Sequence, residues 1–192
     1  MTGSELPATS FCLIRHGETT ANAQSIIAGV TDVALTERGR TQARALAQLT
    51  WPDQLAIFTS PMARARETAR LGFPGRDMQH HAGLRERDWG VYEGAPISDS
   101  PVREATPERG ESWPGMLARV HRAICEICIQ SGGRLPVLVC HSGVIRAARV
   151  LWTSGHVGER PANAMPILFL KTNDKLMEQS YENSGFDALR GV

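Results

Sequence analysis

The stretch Phe11-Cys12-Leu13-Ile14-Arg15-His16-Gly17-Glu18-Thr19 sets the fold: four apolar residues stop abruptly at an arginine, a histidine and a glycine. An apolar run that short, bounded by turn residues, is a buried strand. The glycine behind it permits a tight turn and lets a ligand approach the backbone closely. The pattern recurs twice. Leu55-Ala56-Ile57-Phe58 ends at Thr59-Ser60-Pro61, with Arg64 just beyond, and Pro136-Val137-Leu138-Val139-Cys140 ends at His141-Ser142-Gly143. In an open α/β sheet the functional crevice lies at the carboxyl ends of the strands. Two histidines and two arginines, distant in sequence, are therefore expected at one sheet edge. Helix starts after these strands would add backbone donors and a positive dipole end, suited to an anion.

The segments between these runs have helical spacing. Thr36 caps one helix, with Leu35, Ala43, Leu46, Ala47 and Leu49 near a helical period and Trp51-Pro52 closing it. A second is expected from about Met62 to Leu71, with Pro61 suited to its first turn. Residues 74–115, rich in glycine and proline, predict loops and short pieces. A long helix follows over Ser112 to Ser131, with Leu117, Val120, Ile124 and Ile127 on one side and Gly132-Gly133 ending it. A last helix is expected over Val144 to Trp152. A hairpin of Ile167 to Leu170 and Lys175 to Tyr181 closes the chain, turning at Asn173-Asp174. This alternation predicts an α/β fold: a single three-layer domain, its sheet mostly parallel, with helices on both faces. The expected divisions are a flexible lead-in over 1–10, the domain over 11–183 and a tail over 184–192. The chain's 192 residues suit one well-cored domain.

Composition narrows the function. With 42% apolar and 21% charged residues and a net charge of +1, no global field favours nucleic acid or a membrane surface. A phosphate site would have to be a local cluster of positive charge. No apolar run approaches the roughly 20 residues of a membrane span. Residues 1–10 lack the basic and apolar regions of a signal peptide. Of Cys12, Cys125, Cys128 and Cys140, three sit in apolar stretches and predict buried hydrophobes rather than disulfides. A cytoplasmic location is the expectation. Cys125 and Cys128 form a C-x-x-C in mid-helix with no second pair, so core packing is expected there. His80-His81 predicts an ordinary loop edge, and Arg103, Glu104, Glu108 and Arg109 a solvated rim, with contact to substrate as the alternative. No metal, no cofactor and no macromolecular partner is expected beyond a monomer or homodimer.

The blocks taken in order resemble the histidine phosphatase superfamily, also called the phosphoglycerate mutase-like family, in its small phosphatase branch. Leu13 to Thr19 resembles its signature, and Asn22 stands at its phosphate-contacting asparagine. Gly29, then Leu35-Thr36-Glu37-Arg38-Gly39 with Gln42-Ala43, matches a second block. Ser60 to Ala69 resembles the block that carries the second arginine. Leu84-Arg85-Glu86 with Gly90-Val91-Tyr92-Glu93-Gly94 resembles the acid-bearing block. Gly110-Glu111-Ser112-Trp113 and Val139 to Arg146 complete the series. Together they span about residues 11 to 183. Two departures are Ser142, where the family commonly has glycine, and Tyr92, where tryptophan is frequent before Glu93-Gly94. The latter pair reads as structural, and Glu93 as non-catalytic.

Phosphoryl transfer needs a nucleophile, an in-line leaving group and positive charge around the equatorial oxygens. The resemblance implies that neutral His16 attacks to form a phosphohistidine, its other ring nitrogen fixed by a backbone carbonyl. Arg15 and Arg64 would grip the oxygens with permanent bidentate charge. His141 would add a donor, best when protonated, and Asn22, Ser142 and Thr19 would contact the substrate. Glu86 would protonate the leaving oxygen and then deprotonate the attacking water. The expected activity is a metal-independent phosphomonoesterase acting on a small phosphorylated metabolite. The rivals are a bisphosphoglycerate-dependent mutase, a non-catalytic phosphate-binding module and, on two histidines alone, a zinc hydrolase. Water is expected as the acceptor, because residues 95–109 bring no net positive charge to hold a bisphosphate. Specificity is expected in residues 94–111 and near Gly155 to Asn163.

Overall fold

The computed structural model of the chain describes residues 5–181. The expected tail, 184–192, the last two residues of the expected domain and the first four of the lead-in lie outside the described residues. Six strands form one sheet. They are β1 (Phe11–Arg15), β2 (Leu55–Thr59), β3 (Met78–His80), β4 (Leu135–Cys140), β5 (Pro166–Thr172) and β6 (Lys175–Ser180), in the spatial order β3-β2-β4-β1-β5-β6. β1, β2, β3 and β4 run parallel, while β5 pairs antiparallel with β1 and β6 antiparallel with β5. The helices are α1 (Thr20–Ala23), α2 (Glu37–Ala45), α3 (Ala63–Gly72), α4 (Trp113–Gln130) and α5 (Ser142–Trp152).

Strand side chains alternate between faces, and both faces here are apolar. Phe11, Leu13, Phe58, Leu138 and Cys140 pack on α4 and α5 through Met116, Val120, Ile124, Ile127, Val144 and Ala148. Cys12, Ile14, Ile57, Val137 and Val139 pack on the opposite layer through Leu46, Ala65, Ala69 and Phe73. The three layers expected from the strand–helix alternation are therefore present. Truncating a fully buried member such as Leu138 to alanine would cost about 2–5 kcal/mol. Burial pushes the Cys12, Cys128 and Cys140 thiols up, which keeps them as inert small hydrophobes.

Several local expectations change. Met62, not Pro61, is the cap residue of α3, so Pro61 lies outside the helix. α5 starts at Ser142, two residues before the expected Val144, with His141 as its cap. The three-residue β3 and the four-residue α1 are too short to impose a sequence period. Thr36 does cap α2, accepting from Gly39 N at 3.0 Å, and Ser112 caps α4. Residues 5–10 lie against the domain: the Glu5 carbonyl accepts from Trp152 and contacts His121, and Pro7 and Ala8 carbonyls accept from Lys171. No described helix is long and apolar enough to cross a membrane.

Candidate active site

β1, β4 and β2 are neighbours, so their carboxyl ends place His16, His141 and Ser60 side by side. The ladder continues past the strands: His16 N donates to Cys140 O at 3.0 Å and Ser60 N to Val139 O at 2.9 Å. The turn after β1 is packed tightly. A Cβ on Gly17 would meet the Gly39 backbone, and one on Gly39 would meet that of Glu18. Gly17 N is also fixed by the Thr68 hydroxyl of α3 at 3.0 Å.

A cavity of about 490 Å³ opens at this edge. Arg15, His16, Asn22, Glu86, Ser142 and Gly143 are on its wall. His16 is 5% exposed, and its Nδ1 lies 2.8 Å from Gly17 O. A carbonyl can only accept, so Nδ1 carries the proton and the Nε2 lone pair is left free. Burial first, then Arg64 and Arg15, hold His16 well below the usual histidine pKa. The ring is thus neutral with its tautomer set by the Gly17 carbonyl, the state that a nucleophile at this position would need. Asn22 Oδ1 accepts from Thr19 N and from Asn163 Nδ2, both at 3.2 Å, which leaves its NH2 group as the donor on the cavity side. Asn163 also donates to His16 O at 2.8 Å. Glu86 accepts from Arg87 N at 2.8 Å and from Gly143 N, in the first turn of α5, at 2.9 Å. A Cβ on Gly143 would overlap the Glu86 carboxylate, so only glycine lets the helix start approach the acid.

Three expected contact residues stand elsewhere. Thr19 is 1% exposed; its hydroxyl accepts from Asn22 N as the cap of α1, placing it behind Asn22 and off the cavity wall. Arg64 is 1% exposed and is also off the wall. Its Nη1 donates to Thr31 O, its Nη2 to the Ala28 and Gly29 carbonyls, and its Nε to His141 Nδ1. Its guanidinium therefore ties down the 28–31 loop and acts behind the histidines as a charge. His141 is fully buried and contacts Ser60 Oγ through Nε2 at 2.8 Å. Since Arg64 Nε can only donate, His141 Nδ1 accepts and the ring is neutral. Burial, then Arg64 and His16, hold its pKa well below the usual value. The expected protonated donor is thus absent without an anion to stabilise it. The helix starts differ too: Gly143 N–H serves Glu86, and Ala63 N–H at the start of α3 serves Asp32.

Glu93 is structural, as expected: its carboxylate accepts from the backbone of Gly29, Val30, Thr31 and Trp89 and from the Thr31 hydroxyl. His81 caps a turn through Gly83 N and pairs with Glu126. Among the described residues, no group of three or more histidine, cysteine, aspartate or glutamate side chains could hold a metal ion. Sequence reasoning gave no individual role to four arginines, although Arg103 and Arg160 lie in the segments, 94–111 and 155–163, expected to hold specificity. Arg103, Arg146 and Arg160 reach the cavity wall from three separate segments. Arg87, fully buried under Trp89, donates to the Glu111, Arg103 and Ala105 carbonyls and braces the loop that carries Arg103.

Comparison with known proteins agrees with this geometry. The family model of the histidine phosphatase superfamily (branch 1) matches residues 11–168. The chain is 32% identical over 152 residues to an adenosylcobalamin/alpha-ribazole phosphatase of Salmonella typhimurium, covering 69% of this chain and 74% of that one. It is 31% identical over 156 residues to a 2,3-bisphosphoglycerate-dependent phosphoglycerate mutase of Gloeobacter violaceus, covering 70% and 71%. The solved structure of the Rv3214 product of Mycobacterium tuberculosis superposes with a TM-score of 0.77 at 25% identity, covering 90% of this chain and 96% of that one. With its strand-end histidines, its Glu86 carboxylate held by the start of α5 and these relatives, the chain belongs to the histidine phosphatase superfamily, branch 1.

Proposed function

We propose that the chain hydrolyses phosphomonoesters of small metabolites through a phosphohistidine formed on His16. The observation that carries this reading is the His16 ring itself, held neutral with Nδ1–H on Gly17 O and Nε2 left free in an arginine-walled cavity. The Nε2 lone pair attacks phosphorus, the ester O–P bond in line with it breaks, and the protonated Glu86 carboxyl gives its proton to the leaving oxygen. Arg15 and the Asn22 NH2 group hold equatorial oxygens, and Arg64 adds charge from behind. Water then gives a proton to Glu86 while its oxygen attacks phosphorus. The N–P bond breaks, releasing inorganic phosphate and neutral His16.

The test is a hydrolysis screen over phosphorylated metabolites, with the His16→Ala protein as control and with chelator present. Phosphate release that is lost in His16→Ala and unaffected by chelator is the expected result. Release that survives in His16→Ala, or that stops with chelator and returns with one metal, contradicts the reading.

One observation favours the mutase alternative. The charge count over residues 95–109 supported water as acceptor, yet Arg103 from that segment meets Arg146 and Arg160 at the cavity. Cationic donors of the kind needed to retain a bisphosphate are therefore present. Incubation with 2- or 3-phosphoglycerate, with and without 2,3-bisphosphoglycerate, separates the two. Phosphate release faster than isomer interconversion supports hydrolysis. Bisphosphate-dependent interconversion outpacing release supports the mutase.

A further inference from the structure

β5 runs antiparallel to β1, so its entry lies beside the carboxyl end of β1, with Pro166 opposite Ile14. The residues just before it, Pro161 to Ala164, grip the turn after β1 and the helix behind it at four points. Pro161 O accepts from Arg15 Nη1 at 2.9 Å, and Ala164 N donates to Arg15 O at 2.8 Å. Asn163 Nδ2 donates to His16 O at 2.8 Å and to Asn22 Oδ1, in α1, at 3.2 Å. Ala164 makes its bond with φ at +50°, in the left-handed region, and its methyl group is buried. A residue with a side chain keeps that conformation only where its surroundings impose it, and such residues gather at functional sites. With it, two adjacent residues present a backbone N–H and a side-chain amide to the same turn.

The orientation of both amides follows from partners that have no choice. His16 O can only accept, so the Asn163 nitrogen faces it. Thr19 N can only donate, so the Asn22 oxygen faces it, at 3.2 Å. Asn22 Oδ1 and Asn163 Nδ2 then meet, and both N–H groups of Asn163 are used. Asn22 is on the cavity wall and Asn163 is not, so Asn163 touches no substrate. If the Asn22 amide turned over, its oxygen would face the phosphoryl oxygens and the donor would be lost. Thr19 caps the helix that holds Asn22, so its bond fixes the amide within α1. Asn163 bonds Asn22 and His16 at once, and so sets the donor relative to the residue that carries the attacking nitrogen.

We propose that Asn163 is a positioning residue for phosphoryl transfer: it turns the NH2 group of Asn22 toward an equatorial oxygen and holds that donor in register with His16. The inference rests on the phosphomonoesterase reading for the identity of the bound group, and deepens it by naming what aims one of its donors. Substitution at 163 removes this aim and little else. The bonds of Pro161 O and Ala164 N to Arg15 use backbone groups of the segment, which any side chain at 163 leaves in place.

The experiment is calorimetric binding of inorganic phosphate, which needs no turnover, to four full-length proteins that form a cycle. They are the unmodified protein, Asn163→Ala, Asn22→Ala and the double variant. A second cycle with Asn163→Leu runs beside it. Water can replace the amide in the gap that alanine leaves, whereas leucine fills the gap without a donor, and a folding failure of one variant leaves the other. With Asn22 intact, either substitution at 163 should weaken phosphate binding about tenfold, the loss of about one hydrogen bond to a charged group. In the Asn22→Ala protein the same substitution should weaken it less than about twofold, because the group it aims is gone. An equal loss in both backgrounds, which a merely structural role would give, or no loss in either, would overturn the positioning role. Phosphate binding coupled in this way, in a protein that hydrolyses no phosphomonoester, would leave the role of Asn163 standing and sink the phosphomonoesterase reading alone.

Discussion

At the residue scale the site depends on two histidines kept neutral by burial and by the arginines around them. Burial is the first cause and Arg64 the second for both His16 and His141. The sign of the pH dependence follows. In the unfolded chain each ring takes up a proton near pH 6.5, whereas in the folded chain each does so only at lower pH. The unfolded state therefore binds more protons in that window, and stability falls as pH falls below about 6.5. Urea unfolding between about pH 7.5 and about pH 5.5 should show this loss, and His141→Gln should flatten the slope relative to the unmodified protein. Parallel slopes would mean that His141 is not held neutral. Glu86 makes a separate prediction. Glu86→Gln should slow phosphohistidine formation about 10²- to 10⁴-fold for alkyl phosphates and far less for p-nitrophenyl phosphate, whose leaving group hardly needs a proton. Equal losses on both, read by rapid quench, would move the acid role to another carboxylate.

At the element scale, helix starts and loops are fastened by carboxylates and guanidiniums rather than left open for the substrate. α5 begins on Glu86 through Gly143 N. Gly143→Ala removes no bond but puts a methyl group where the carboxylate sits. The side chains it meets, Glu86 and Met116, end in movable atoms, and alanine favours a helix over glycine by about 1 kcal/mol. The expected outcome is a melting temperature close to that of the unmodified protein with activity on alkyl phosphates reduced at least tenfold, as one misplaced general acid would give. Retained activity would show that the contact at Gly143 does not position the acid. The 28–31 loop is held twice, its N–H groups by Glu93 and its carbonyls by Arg64. Glu93→Gln keeps the shape and loses the charge, so it should cost about 1–3 kcal/mol in urea unfolding. No measurable cost would show that the clamp is dispensable.

At the scale of the whole molecule, the sequence was most legible where function and fold coincide locally. His16, Ser60 and His141 each follow an apolar run directly, so strand period and motif pointed to the same place. Three-layer packing was legible because β1, β2 and β4 are apolar on both faces. Legibility failed where a role is decided by distant partners. Arg64 matches a phosphate-gripping position, yet the 28–31 carbonyls occupy it, and nothing in its own neighbourhood in sequence states that. Thr19 was expected as a contact residue because it closes the matched Leu13 to Thr19 block, but a four-residue helix needed its hydroxyl. Arg103, Arg146 and Arg160 lie in three segments whose convergence only the folded sheet edge produces, and a charge count over one loop missed it.

All the chemistry proposed for this cavity passes through one covalent bond, between phosphorus and Nε2 of His16. The direct measurement is rapid-quench trapping with a 32P-labelled phosphomonoester, followed by peptide mapping and stability tests of the label. A phosphoenzyme that is acid-labile and alkali-stable, maps to the peptide holding His16, forms within one turnover and is missing in His16→Ala is the expected result. A label that resists acid as a phosphoester does, or turnover with no labelled enzyme at any time point, would contradict it.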